Sequence, residues 1–117
     1  MALKPVAELE VIPEPYELLD MVDGQTVTLR ILSHSQGKVF INPRDGRDPK
    51  WVPCLRVAIP AEDKATIPLY WDITSKHLIA GLLGYLDGGD GQRYSFKITK
   101  HGKPPMARFT LEAIPAA

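Results

Sequence analysis

The feature that most constrains this chain is a change of hydrophobic period: an apolar helix pattern over residues 74–86 gives way to two segments that alternate residue by residue. In residues 93–100, Tyr94, Phe96 and Ile98 share one face while Arg93, Ser95, Lys97 and Thr99 share the other, the period of two of a half-buried strand. Residues 107–114 repeat it, with Ala107, Phe109, Leu111 and Ala113 inward and Arg108, Thr110 and Glu112 outward. The connection, Lys100-His101-Gly102-Lys103-Pro104-Pro105, is basic and turn-forming. In the helix, Leu78, Ile79, Leu82, Leu83 and Leu86 recur at three- and four-residue spacing after a cap at Thr74 or Ser75. Gly81 and Gly84 each weaken it by about 1 kcal/mol relative to alanine, so packing has to supply its stability. The glycine-rich run at 87–91 ends it.

Upstream, Val27, Leu29 and Ile31 alternate with Thr26, Thr28 and Arg30, which predicts a first strand over residues 25–33. Residues 38–41 form a short continuation or hairpin partner, Val39 and Ile41 on one side and Phe40 on the other. A polar, turn-rich loop at 42–49 leads to a strand over 51–58, in which Pro53 implies an edge or a bulge. Residues 66–73 supply a third strand, with Ile67, Leu69 and Trp71 on one face and Tyr70 and Asp72 on the other. Strands, a helix, then two more strands is the order of a five-stranded Greek-key barrel of the OB type. The expected fold is therefore all-β with one helix, the helix lying between strands 3 and 4.

At 117 residues the chain holds one core. The division expected is an acidic N-terminal arm, 1–23, interrupted by Pro5, Pro13 and Pro15, followed by the barrel domain, 24–117. Six acids and no Lys or Arg occupy residues 5–29, whereas 13 basic residues oppose 8 acids from Arg30 onward, a net of +5. Such asymmetry fits a polyanion partner as well as an ordinary acidic surface arm. The single cysteine, Cys54, excludes an intramolecular disulfide, and no His/Cys cluster has zinc spacing. With no secretory leader and no apolar run of membrane-spanning length in the sequence, a cytoplasmic location is expected, the host cytoplasm if the chain is viral.

Enzyme signatures are scarce. The P-loop, GxSxG and HExxH patterns do not occur, His34, His77 and His101 lie far apart, and Asp45 with Asp48 lacks the remainder of an EF-hand. A non-enzymatic protein without cofactor or metal is expected. Single-stranded nucleic acid, by contrast, is held by a positive groove that follows phosphates and by rings on which bases stack. Lys38, Arg44, Arg47, Lys50 and Arg56 fall in or beside the first long loop, with Phe40 and Trp51 interleaved, and Tyr70 points opposite Leu69. Lys97, Lys100, Lys103 and Arg108 belong to the last hairpin. An OB barrel brings these two loops to the two flanks of one ligand groove. Trp71 is read as core and Trp51 as equally suited to core or surface.

The segment Leu69-Tyr70-Trp71-Asp72-Ile73-Thr74, the helix at 78–86, and the run Tyr94-Ser95-Phe96-Lys97-Ile98-Thr99-Lys100-His101-Gly102-Lys103 followed by Arg108-Phe109-Thr110-Leu111-Glu112 resemble the single-stranded DNA-binding proteins of phages and mobile elements. The resemblance implies sequence-independent binding of single-stranded DNA in replication or recombination, with Lys97, Lys100, Lys103 and Arg108 matching basic hairpin positions. Many bacterial relatives end in an acidic tail with a terminal Phe, whereas this chain ends Ala113-Ile114-Pro115-Ala116-Ala117 and has its acids at the N-terminus. An arm of that charge has three readings: a competitor for the DNA groove, a dock for a basic partner, or a passive surface strand. The expected partners are single-stranded DNA and replication or recombination proteins, without a membrane; a homo-oligomer is compatible with the sequence but not specified by it. The rival class is a protein-interaction or structural module, such as a phage assembly or adaptor domain, built on the same barrel.

Overall fold

The computed structural model describes residues 5–42, 48–64, 66–89, 91–102 and 107–115. In these residues the alternating segments become β1 (Thr26–Leu29), β2 (Ser33–Ile41), β3 (Lys50–Ala58), β4 (Tyr70–Ile73), β5 (Tyr94–His101) and β6 (Arg108–Pro115), with α1 (Lys76–Leu86) between β4 and β5. They make two three-stranded antiparallel sheets, ordered β1-β5-β6 and β2-β3-β4. No helix of the described residues is long and apolar enough to cross a membrane.

The mostly-β chain with one helix is as expected, but the five-stranded closed barrel is not. The described residues form six strands, because the predicted first strand breaks at residues 30–32 and continues as β2 in the other sheet. β4 and β6 do not pair, so no barrel closes among the described residues. The expected 66–73 strand shortens to β4, and Ile67, placed on one face with Leu69 and Trp71, lies outside it and is 85% exposed. Pro53 lies in the central strand of its sheet, which a bare edge rule would not allow. The register resolves this: Pro53 sits opposite Lys38, whose N–H and C=O both bond residues of the N-terminal arm, so the pair shares no ladder hydrogen bond and the missing N–H faces away from β2.

The main core lies between one face of each sheet and α1. Leu29, Leu55, Val57, Ile73, Phe96 and Ile98 meet Leu78, Ile79, Leu82, Leu83 and Leu86, all buried. At about 1.5–3 kcal/mol for each large apolar side chain removed from water, the five helical residues outweigh the two glycines. Ser75 caps the helix, its Oγ accepting from the N–H of Leu78. Gly81 lets the helix come close to β6, since a Cβ there would stand 3.1 Å from Leu111 Cδ2.

The N-terminal arm is built into the domain. Three of its apolar residues, Leu9, Ile12 and Met21, are buried, while Val11, Leu18 and Val22 stay exposed together with Glu8, Glu10, Glu14 and Asp20. Ile12 N–H donates to the Lys38 carbonyl (3.0 Å) and Lys38 N–H donates to the Glu10 carbonyl (2.8 Å), which seats the arm on the outer edge of β2. Seven residues later, Asp72 N–H donates to the Glu17 carbonyl (2.7 Å) and Leu19 N–H donates to the Asp72 carbonyl (3.0 Å). The arm thus crosses from the β2 edge to the β4 edge, and the β4 edge that a closed barrel would offer to its last strand is occupied by residues 17–19.

Candidate nucleic-acid interface

Between its two edge contacts the arm passes over the sheet face that carries Gly37, Val39, Cys54, Arg56 and Asp72. Ile12 packs with Val39 and Cys54 in a second small core, flanked by Tyr16, Ile41 and Val52. Arg56, in the middle of β3, lies opposite Asp72 of β4 in register and makes a bidentate pair with it, Nε to Oδ1 at 2.8 Å and Nη2 to Oδ2 at 3.0 Å. Its Nη2 also donates to the carbonyls of Pro13 (2.8 Å) and Pro15 (3.1 Å). Asp72 Oδ2 accepts the Glu17 N–H at 2.8 Å. The hydrogen bond to Asp72 holds the guanidinium above its ordinary pKa, so Arg56 is a fixed cation that ties arm, β3 and β4 together.

Tyr70, expected to be a stacking platform, is engaged in the same cluster. Its hydroxyl donates to the Pro15 carbonyl and its ring lies under the Arg56 guanidinium at 3.9 Å. Lys64, buried beside it, donates to the carbonyls of Pro68 and Tyr70 and lies 4.1 Å from the Trp71 ring centroid. Trp71 packs against the main core, as expected of it. Arg56 and Tyr70 are therefore tied to the arm, and each is only partly exposed. Asp72, which organises them, has a side chain with no solvent exposure, and sequence reading passed over it as a polar residue on a strand face. The available signal was the nearly unbroken apolar run Val52 to Ile59, which marks a strand covered on both faces.

Phe40 and Trp51 have the opposite surroundings. They are directly opposed in the β2–β3 register, 48% and 43% exposed, and their rings meet edge to face at 5.4 Å between centroids. Neither belongs to the main or the second core. Lys38, two residues before Phe40 on the same face, carries its Nζ 5.4 Å from the Trp51 ring centroid, and exposed Lys50 lies on the other face opposite Ile41. Two solvated rings with cations on both sides thus form the end of this hairpin. Arg44 and Arg47, in the joining loop, lie outside the described residues.

The second basic cluster belongs to the other sheet. Lys97 and Arg108 are exposed on its outer face, Lys97 opposite Glu112 and Arg108 opposite His101. Lys100 turns the other way and donates to the Met21 carbonyl at 2.6 Å, which anchors the end of the arm. Lys103 lies outside the described residues. The cations predicted to act as one hairpin cluster are therefore divided between an outward pair and an arm anchor.

Cys54 sits under the arm, where burial, reinforced by the Asp72 carboxylate, pushes its thiol up to about 12. At neutral pH it is a neutral core side chain, not a nucleophile. Among the described residues no group of three or more His, Cys, Asp or Glu side chains is placed to hold a metal ion. No protein-family model, curated protein or solved structure matches this chain.

Proposed function

We propose that this chain is a non-enzymatic binder of single-stranded DNA with little sequence preference, acting in replication or recombination, and that bases stack on the Phe40–Trp51 pair at the end of the β2–β3 hairpin. The observation that carries the reading is that pair. Two half-exposed large rings, edge to face, with Lys38 Nζ 5.4 Å from the indole centroid and exposed Lys50 on the opposite face of the same hairpin end, offer π-surface and positive charge together. Large aromatics contribute most to stability when buried, so a solvated pair outside both cores points to a ligand.

The pairing order supports an OB-type architecture. If β1 and β2 are taken as one bent strand, it pairs with β3 through β2 and with β5 through β1, and β3–β4 and β5–β6 complete the order of an OB barrel with its last seam open. In this reading the arm has displaced the ligand path from the face it covers toward the hairpin end. Lys97 and Arg108 contribute general positive field rather than defined contacts.

The test is titration of the tryptophan fluorescence with oligo-dT, oligo-U and duplex DNA at two salt concentrations. Oligo-dT is expected to quench Trp51 and to bind less tightly in high salt, with a slope of about −0.7 per phosphate contacted. An unchanged signal at low salt, or an affinity indifferent to salt, would refute the reading and favour the protein-interaction module.

A further inference from the structure

The outer edge of β6 is the longest strand edge left open among the described residues. Both edges of the β2-β3-β4 sheet carry arm residues, and β1 has only four residues. β6 has eight residues, pairs with β5 on one side, and receives no backbone hydrogen bond from a described residue on the other. Open edges are templates for another strand, and proteins commonly blunt them with like charges, inward-pointing charges or prolines. β6 has no inward-pointing charge and no run of like charge, and its proline is confined to its last residue. Its inward residues are Phe109, Leu111 and Ala113, its proline stands at the terminal position 115, and its outward charges are one cation and one anion, Arg108 and Glu112, placed symmetrically about Thr110.

We propose that β6 pairs antiparallel with β6 of a second copy of this chain, about a two-fold axis through Thr110. Inward side chains must meet inward side chains, so only every second register is allowed. In the register centred on Thr110, Arg108 of each copy lies opposite Glu112 of the other and Phe109 lies opposite Leu111, with Thr110 facing Thr110. Shifting the axis outward in either direction sets Arg108 against Arg108 or Glu112 against Glu112, and the intermediate registers leave both charges without a partner. One register therefore gives two cross-strand ion pairs and two aromatic–aliphatic pairs, the contacts that stabilise neighbouring strands. Because each copy contributes the same edge, the assembly closes as a dimer and does not propagate. It joins the two β1-β5-β6 sheets into one of six strands. The proposal does not depend on DNA binding.

Sedimentation velocity across a concentration series tests it. The wild-type chain is expected to shift from 13.0 kDa toward twice that mass as concentration rises. Arg108→Glu sets Glu against Glu at both charge pairs, and Glu112→Arg sets Arg against Arg. Each variant alone is expected to weaken association by about tenfold or more. Mixed in equal amounts, the two variants regain both complementary pairs, so the mixture is expected to form a heterodimer. Circular dichroism of each variant confirms that it is folded, and recovery in the mixture is a readout that misfolded variants would not produce. A wild-type chain that stays at 13.0 kDa up to about 1 mM, variants that associate as the wild type does, or a mixture that stays monomeric would each overturn the proposal.

Discussion

Replacing Gly37 by alanine tests how firmly the arm is held on β2. Gly37 lies opposite Cys54, and a Cβ at that position would stand 2.6 Å from Ile12 Cγ1 and 2.8 Å from the Glu10 carbonyl oxygen, with Ile12 Cδ1 closer still. The oxygen belongs to the backbone and already accepts from Lys38, so a side-chain swing does not make room. The domain has two responses. It can keep the arm docked with overpacking strain of about 1–3 kcal/mol. It can instead lift the arm at Ile12, losing about 1.5–3 kcal/mol of burial and two backbone hydrogen bonds of about 0.5–1.5 kcal/mol each, roughly 2.5–6 kcal/mol together. The cheaper response sets the cost, so Gly37→Ala is expected to lower stability by about 1–3 kcal/mol. The urea midpoint reads that loss. Labelling of Cys54 by a thiol reagent under native conditions reads the arm itself, because the cysteine lies beneath it. If opening becomes easier by the same amount, labelling accelerates by roughly 5- to 150-fold. A variant with the wild-type midpoint and labelling rate would refute the docked arm.

Other expectations follow from the same contacts. Arg56→Ala removes the partner of a carboxylate with no solvent exposure; a loss toward the lower end of the roughly 3–5 kcal/mol typical of broken buried pairs is expected from urea unfolding, because Arg56 keeps some solvent contact. Cys54 deprotonates at higher pH when folded than when unfolded, so its contribution is intact below its ordinary value of 9.0 and is lost as pH rises toward about 12. Wild type is therefore expected to lose more stability than Cys54→Ala between pH 9 and 11, and parallel profiles would contradict this. Trp51→Ala and Phe40→Ala are each expected to weaken oligo-dT binding by about 1–3 kcal/mol, while thermal unfolding shifts by no more than about 1 kcal/mol.

Local periodicity made most of the elements legible. The alternation of Tyr94, Phe96 and Ile98 and of Phe109 and Leu111 became β5 and β6, and Leu78, Ile79, Leu82, Leu83 and Leu86 became the buried stripe of α1. Val39 and Ile41 on one side of β2 and Phe40 on the other also matched, Val39 buried under the arm and Phe40 half exposed at the end of the opposite face. What failed depended on contacts between residues distant in sequence. Closure of the barrel was expected from strand order, but order does not show that residues 17–19 take the β4 edge. Arg56 and Tyr70 looked available because a strand's alternation assigns a face without saying what covers it; here Pro13 and Pro15 of the arm bond Arg56, Pro15 bonds Tyr70 as well, and Asp72 of the neighbouring strand holds the guanidinium. Lys100 continues the inward series of Phe96 and Ile98 at the strand end, and its long stem carries the charge to the Met21 carbonyl.

Chemical-shift mapping of the isotope-labelled protein with oligo-dT at low salt tests the central claim most directly, because it reports the ring pair and the arm-covered face in one spectrum. The account predicts changes centred on the amides of Phe40, Ile41 and Lys50 and on the Trp51 indole, with Tyr70, Asp72 and arm residues 10–19 left in place. Changes centred on Arg56, Tyr70 and the arm, or a spectrum that does not respond to oligo-dT, would contradict it.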